Sequence, residues 1–288
     1  MNELFEKLFA LLQLILPHHV LSRLVGYLAR SEVGLIKNTF IKTFLKNFDI
    51  NMSEAKEEDA LAYANFNAFF TRELKDGARI IDDEKNAIVS PADGAISQLG
   101  SILGSDVLQA KDRHFSLYEL LGGNSELASE FINGSFATVY LSPKDYHRVH
   151  MPFTGTLREM IYVPGRLFSV NQATTRQISD LFARNERAVC VFDTEHGPMV
   201  VILVGAMIVA GIETVFSGPI TPLARAVQRV EYGAEQRGPI VLNKGDELGR
   251  FYLGSTAILL FPEGKVEFSA GMDAESPVQM GQKMGEFV

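Results

Sequence analysis

Residues 199–212 read MVVILVGAMIVAGI, fourteen positions without a charge, and the reading of this run decides the fold. A membrane-spanning helix needs about 20 apolar residues, whereas a run of ten to fourteen belongs inside a folded core. Gly205 and Gly211 punctuate it, and Val and Ile suit a pleated surface, so the run is read as two buried strands. Outward from it lie further short β-branched or aromatic runs between Gly, Pro, Asp or Asn: AIVS, FATVYL, REMIYV, AVCVF and AILLF.

Before about residue 85 the period is helical. Leu4, Leu8, Leu11, Leu12 and Ile15 fall on one side of a helical wheel, with Glu3, Glu6, Lys7, Ala10 and Gln13 elsewhere. A similar stripe returns at Ile36, Phe40, Phe44 and Phe48, with Lys37, Lys42 and Lys46 outside it. The expected fold is therefore α+β, a β-rich body with amphipathic helices collected at the N-terminus.

Charge divides the same way. Residues 1–50 carry a net charge of plus two and the other 238 a net of minus ten. Two explanations fit the basic, apolar N-terminal segment: helices packed on the protein's own core, or helices lying in a bilayer interface with lysines toward anionic headgroups. Its longest charge-free run, residues 8–22, spans 15 positions and is broken by Gln13, Pro17, His18 and His19. Neither a transmembrane helix nor a secretion signal is expected, since MNELFEK lacks a positive leading region.

The 288 residues include 47% hydrophobic and 22% charged side chains, which excludes a wholly disordered or multi-span membrane protein. The net charge of −8 argues against a nucleic-acid partner. Cys190 is the single cysteine, so no intrachain disulfide forms, and its AVCVF setting suggests a core position.

GDELGRF at 245–251 recurs as GQKMGEF at 281–287. Paired turn-and-strand units of this kind resemble the quasi-symmetric hairpins of barrel-sandwich domains such as biotinyl and lipoyl carriers, so barrel-sandwich-like antiparallel sheets are expected. Two unrelated glycine turns would leave the same trace.

Chemistry concentrates in two segments. In YLSPKDYHRVHMP, residues 140–152, Ser142, Pro143 and Asp145 have the form of an N-cap, an N1 proline and a capping-box acid, which predicts a short helical turn with His147 and His150 on one face. An extended segment would send them to opposite sides. A zinc site lacks clear partners. The second segment is 250–260, where Gly254-Ser255-Thr256 interrupts an apolar strand and so marks a kink, bulge or close backbone approach. Asp93, before Gly94 in SPADG, is most simply a turn residue, and it could also orient a histidine.

Taken together, LGST at 253–256, PADG at 91–94, YLSPKDYHRVHMP at 140–152, FNAFFTREL at 66–74 and FARNERAVCVFDTEHGPM at 182–199 resemble bacterial phosphatidylserine decarboxylase, in order and over nearly the whole chain. The resemblance implies an inactive proenzyme that cuts itself between Gly254 and Ser255, leaving a β chain (1–254) and an α chain (255–288) blocked by a pyruvoyl group made from Ser255. It assigns His150 as the base, oriented by Asp93, and His147 as the residue that returns a proton. It also implies a Schiff base between the pyruvoyl ketone and the serine headgroup, with phosphatidylethanolamine as product. A hydroxyl on a carbonyl's own C-terminal neighbour can attack that carbonyl, and glycine on the acyl side offers no obstructing Cβ.

By the same resemblance the substrate lies in a bilayer, so residues 1–50 are expected to dock on the cytoplasmic side of the cell membrane. Residues 51–288 then form the catalytic domain, and the two cut chains stay together as a heterodimer that pairs as a homodimer. The rivals are a serine hydrolase using Asp93, His150 and Ser255, for which no G-x-S-x-G elbow exists, and a carrier module, which leaves the histidines unexplained. Arg148, Arg166 and Arg184 are phosphate partners by charge alone, and structural ion pairs are the commoner use of such residues.

Overall fold

Strand Thr256–Phe261 is buried at every position and lies in the middle of a nine-stranded antiparallel sheet, between Ser135–Tyr140 and Gly197–Val204. The computed structural model describes residues 3–110, 113–207, 211–220, 226–233, 238–252 and 254–288, with side chains from residue 6 onward. Alternate residues of the central strand leave on opposite faces: Ala257, Leu259 and Phe261 join one hydrophobic cluster, Ile258 and Leu260 another. Gly197–Val204 divides likewise, Met199, Val201 and Leu203 against Val200, Ile202 and Val204. Both faces of the sheet are covered, which is why the 199–212 run shows no apolar–polar alternation. Its expected second strand is Gly211–Thr214; residues 208–210 lie outside the described residues. Cys190 is buried on the neighbouring strand, Arg187–Thr194, and burial pushes its thiol up to about 12.

On one face the sheet is closed by the internal repeat. Gly245 and Gly281 take φ of +88° and +87°, a conformation open to glycine, and strands Glu247–Tyr252 and Lys283–Phe287 follow them. Gly245 N–H donates to the Met151 carbonyl at 2.9 Å and Gly281 N–H to that of Ser90 at 3.0 Å. In return Met151 N–H donates to Asp246 and Ser90 N–H to Gln282, each at 2.8 Å. The two partner segments also bond each other, His150 N–H to the Pro91 carbonyl (2.7 Å) and Val89 N–H to the Pro152 carbonyl (3.0 Å). Segments 89–91 and 150–152, each ending in proline, therefore pass one another about a pseudo-two-fold axis, the arrangement expected of barrel-sandwich hairpins. In this symmetry Asp93 corresponds to Thr154, since Met280 N–H donates to Asp93 Oδ1 and Lys244 N–H to Thr154 Oγ1, both at 2.9 Å.

Gly94 sets how closely Asp93 approaches the sheet. A Cβ there would stand 2.1 Å from the Tyr140 carbonyl oxygen. Gly94→Ala is expected to cost about 3 kcal/mol, the upper end of overpacking penalties, read as a lowered denaturant midpoint at unchanged slope.

The N-terminal helices are α1 (Glu3–Ile15), α2 (His18–Ala29) and α3 (Gly34–Asn47). They separate the two explanations of the apolar stripes. In α1 the residues facing the body are Glu6, Ala10 and Gln13, and Gln13 Oε1 accepts from Ser169 N–H at 2.8 Å. Leu8, Leu11, Leu12 and Ile15 face outward, Leu11 at 60% and Ile15 at 79% exposure; the side chain of Leu4 lies outside the described residues. Helix α2 repeats this inversion, with His18, Ser22, Gly26 and Ala29 inward and Val20, Leu24 and Tyr27 outward. The second stripe does the opposite: Phe40 and Phe44 on α3 pack against Phe66, which begins the short helix Phe66–Phe70. Among the described residues no single helix is long and apolar enough to cross a membrane, although α1 and α2 together, bent by 87°, reach that length.

Candidate functional site

Gly254 and Ser255 stand where the chain leaves one sheet for another. Glu247–Tyr252 belongs to a four-stranded sheet with Arg148–His150 and Gly211–Thr214, and Thr256–Phe261 to the middle of the nine-stranded one. The glycine thus marks the corner that the interrupted strand pattern predicts. Leu253 lies outside the described residues. Ser255 is buried, and its carbonyl accepts from Leu141 N–H at 2.9 Å.

Strand Ser135–Tyr140 ties Ser255 to Asp93. Tyr140 pairs with Thr256 on one side and with Ala95, at the start of strand Gly94–Ser101, on the other. Ala95 and Thr256 are therefore two strand spacings apart, roughly 10 Å. Asp93 and Ser255, just before these positions, emerge at the same end of three adjacent strands. The Asp93 carboxylate is held by Arg79, Nε to Oδ1 at 2.9 Å and Nη2 to Oδ2 at 2.5 Å, and Arg79 also reaches Glu54 at 2.8 Å.

The helical turn expected to carry both histidines is a correction. Ser142 N–H does donate to Asp145 Oδ2 at 2.7 Å, the reciprocal half of a capping box. The turn ends at Asp145, however, and the chain runs extended into strand Arg148–His150, because that segment must pair with Glu247–Tyr252. The two histidines accordingly enter different surroundings.

His150 Nδ1 meets the Gly245 carbonyl at 2.8 Å, and its Nε2 stands 3.1 Å from Tyr146 Oη. A carbonyl only accepts, so Nδ1 carries the proton and Nε2 is the basic nitrogen. Burial lowers the pKa of His150 and raises that of Tyr146, which keeps the ring neutral and the phenol protonated. The orienting contact is thus the carbonyl of the repeat glycine, where the resemblance assigned Asp93. Asp93 is turned to Arg79 and lies across the Pro91–His150 backbone pair.

His147 is 1% exposed, and its ring stacks on Phe70 with centroids 4.0 Å apart. Neither ring nitrogen makes a well-aligned hydrogen bond, and the Ser142 and Pro143 backbone beside the ring favours its protonated form. Burial, then the Arg72 charge, lowers its pKa to about 3. A buried imidazole held only by such loose contacts is costly unless something else completes it.

A cavity of about 750 Å³ adjoins this end of the strands, bordered by Arg72, Arg79, Asp93, Tyr140 and Tyr146. Inspection of residue types misses Arg79, Tyr146, Arg72 and the Gly245 carbonyl. Tyr146 lies within YLSPKDYHRVHMP and Arg72 within FNAFFTREL, where residue type alone gives neither a task. Arg148 is not free for a ligand, since its Nη1 donates to Glu247 at 2.8 Å and its Nε to the Thr71 carbonyl at 2.9 Å. Arg184 lies over the Phe168 ring at 4.9 Å.

A family profile described as phosphatidylserine decarboxylase matches residues 66–286, and one described as PSD matches residues 8–49. The phosphatidylserine decarboxylase proenzyme of Alcanivorax borkumensis is 62% identical over 283 residues, covering 98% of this chain and 97% of that protein. The proenzyme of Ectopseudomonas mendocina is 59% identical over 280 residues, 97% of this chain and 98% of that protein. That of Pseudomonas aeruginosa is 58% identical over 277 residues, 96% of each.

Proposed function

The chain belongs to the phosphatidylserine decarboxylase family and is a decarboxylase of that class, and we propose that it makes a pyruvoyl group from its own Ser255 and uses it to convert phosphatidylserine to phosphatidylethanolamine. The observation that carries this reading is the position of Gly254–Ser255, buried at a sheet-to-sheet corner at the same end of three strands as Asp93.

The proposed self-cutting runs through Ser255, His150 and Asp93. Ser255 Oγ attacks the Gly254 carbonyl carbon and gives up its proton to the neutral Nε2 of His150, which releases Tyr146 Oη to receive it. The peptide bond becomes an ester as the amine of Ser255 is freed. Loss of the Ser255 α-proton then expels the Gly254 carboxylate and leaves dehydroalanine. The Leu141 N–H on the Ser255 carbonyl stabilises the charge that builds on that oxygen in this step. Addition of water and loss of ammonia leave a ketone at position 255. Arg79 holds the Asp93 carboxylate as a fixed negative charge beside His150, favouring the imidazolium formed during attack.

The pyruvoyl group supplies an electron-withdrawing carbonyl pair that takes up the electrons released with CO2. His147, buried against Phe70 and only loosely hydrogen-bonded, returns the proton in this reading. Cutting does not free the short chain, because Thr256–Phe261 stays hydrogen-bonded on both sides and Lys283–Phe287 stays paired with Ala87–Val89. The product is thus a heterodimer.

The outward leucines of α1 and α2 support docking of residues 1–50 on the cytoplasmic face of the cell membrane, with residues 51–288 as the catalytic domain. Exposed Arg23, Lys42 and Lys46 supply cations for anionic headgroups. Replacing Leu11 and Ile15 together by Asp is expected to cut partitioning onto phosphatidylglycerol vesicles about tenfold or more, measured by cosedimentation, while self-cutting continues. Unchanged partitioning would remove the membrane role. The experiment that tests the function itself is the intact mass under denaturing conditions with a phosphatidylserine assay. Two pieces, 1–254 and a pyruvoyl-blocked 255–288, are expected; an active single chain with a free Ser255 contradicts the reading.

A further inference from the structure

Two arginines are buried among the described residues, and they differ in one respect. Arg187, 1% exposed, is saturated: its guanidinium donates to the carbonyls of Leu120 (2.7 Å), Ala183 (2.6 Å), Asn185 (2.7 Å) and Glu119. Arg72, 4% exposed, makes one long contact, Nη2 to the Lys144 carbonyl at 3.4 Å, and its Nε has no partner. No carboxylate lies within salt-bridge distance of it among the described residues: Glu54 and Asp93 are taken by Arg79, Glu73 and Glu247 by Arg148, and Asp145 by Ser142 N–H, so these groups and Tyr63 favour its charge only from a distance. A buried cation without a direct ion-pair partner is expensive. The burial cost appears as a lowered pKa, with desolvation the first cause. Arg72 also borders both the 750 Å³ cavity and a second of about 440 Å³ on its other side.

We propose that Arg72 is the residue that grips the phosphodiester of the substrate headgroup, beside the proton-returning His147. This deepens the decarboxylase reading and rests on it. A guanidinium offers a planar fork matched to paired oxyanion oxygens. The substrate has two such groups, and the chemistry selects between them. The phosphodiester keeps its charge through the whole reaction, so binding it costs nothing at the transition state. The α-carboxylate must lose its charge as CO2, and a cation fixed on it would stabilise the ground state and slow the reaction. Neutralising Arg72 also relieves His147 of the neighbouring charge that lowers its proton affinity. The bound phosphodiester thereby lets His147 hold a proton when one is needed.

The test uses the self-cut enzyme in neutral detergent micelles. In wild type, phosphatidylserine is compared with its uncharged methyl phosphotriester, and the expected kcat/KM for the triester is lower by roughly 10–100-fold. Arg72→Gln is expected to lose a similar factor on phosphatidylserine with no further loss on the triester, and to weaken inhibition by phosphatidylethanolamine equally. Arg72→Lys should recover part of the loss. If Arg72→Gln weakens phosphatidylserine but leaves product inhibition unchanged, the cation serves the carboxylate and the proposal is overturned. A wild-type enzyme indifferent to the triester overturns it without any variant. Failure of the decarboxylase reading looks different, since wild type would then not be cut between Gly254 and Ser255.

Discussion

Ser255→Ala is expected to remain one uncut chain with no measurable decarboxylase activity, and to be as stable as wild type. Alanine removes the single hydroxyl able to attack the Gly254 carbonyl from its C-terminal side, so neither the ester nor the group derived from it can form. The loss is the whole catalysed rate, at least about 10⁶-fold on the usual scale of enzymatic acceleration. The fold should tolerate the change, because the Ser255 contact that ties two strands is made by its backbone carbonyl, to Leu141 N–H at 2.9 Å. Intact mass and thermal unfolding give the two readings. A cut Ser255→Ala chain would end the assignment. Ser255→Cys is the informative companion, since a thiol can make the same shift and its thioester eliminates to the same dehydroalanine.

His147→Ala is expected to be cut normally and to lose roughly 10²–10⁴-fold in decarboxylation, the usual worth of a positioned acid. His150→Ala should show the reverse emphasis, with cutting slow or absent. The division rests on geometry. His150 is oriented by the Gly245 carbonyl and presents Nε2 as a base, whereas His147 is stacked on Phe70 with no well-aligned hydrogen bond to either nitrogen. The buried His147 also makes a pH prediction. Its pKa is about 3 in the folded chain against 6.5 in the unfolded one, so the unfolded state takes up a proton first as pH falls. Its neutral form contributes stability that is complete above about pH 6.5 and is lost progressively toward pH 3. His147→Phe, which keeps the ring, should flatten the acid side of the stability profile. Normal turnover by His147→Ala would remove the residue from the reaction.

The Gly-x-x-x-Gly repeat and the serine break in an apolar strand were legible because both are local rules, glycine at positive φ and glycine where a strand turns a corner. The helical turn expected over His147 and His150 does not form, for the opposite reason. Ser142, Pro143 and Asp145 begin it correctly, but pairing of Arg148–His150 with Glu247–Tyr252 outweighs a local preference of about 1 kcal/mol. The N-terminal stripes show the same limit. Their periodicity specifies helices and cannot say which face turns inward. That depends on what the body offers: an aromatic pocket around Phe66 receives Phe40 and Phe44, and backbone donors such as Ser169 N–H receive Gln13.

By itself the sequence determined the α+β class, the run of buried strands, the paired glycine turns and the residues of the reaction's family, because period, turn chemistry and motif order are written locally along the chain. Only the tertiary structure decided that the Gly245 carbonyl orients His150, that Arg79 holds Asp93, that α1 shows its leucines to solvent and that Arg72 is buried without a direct ion-pair partner. Each of these is a relation between groups far apart in sequence, fixed by which strands pair and how closely their backbones approach.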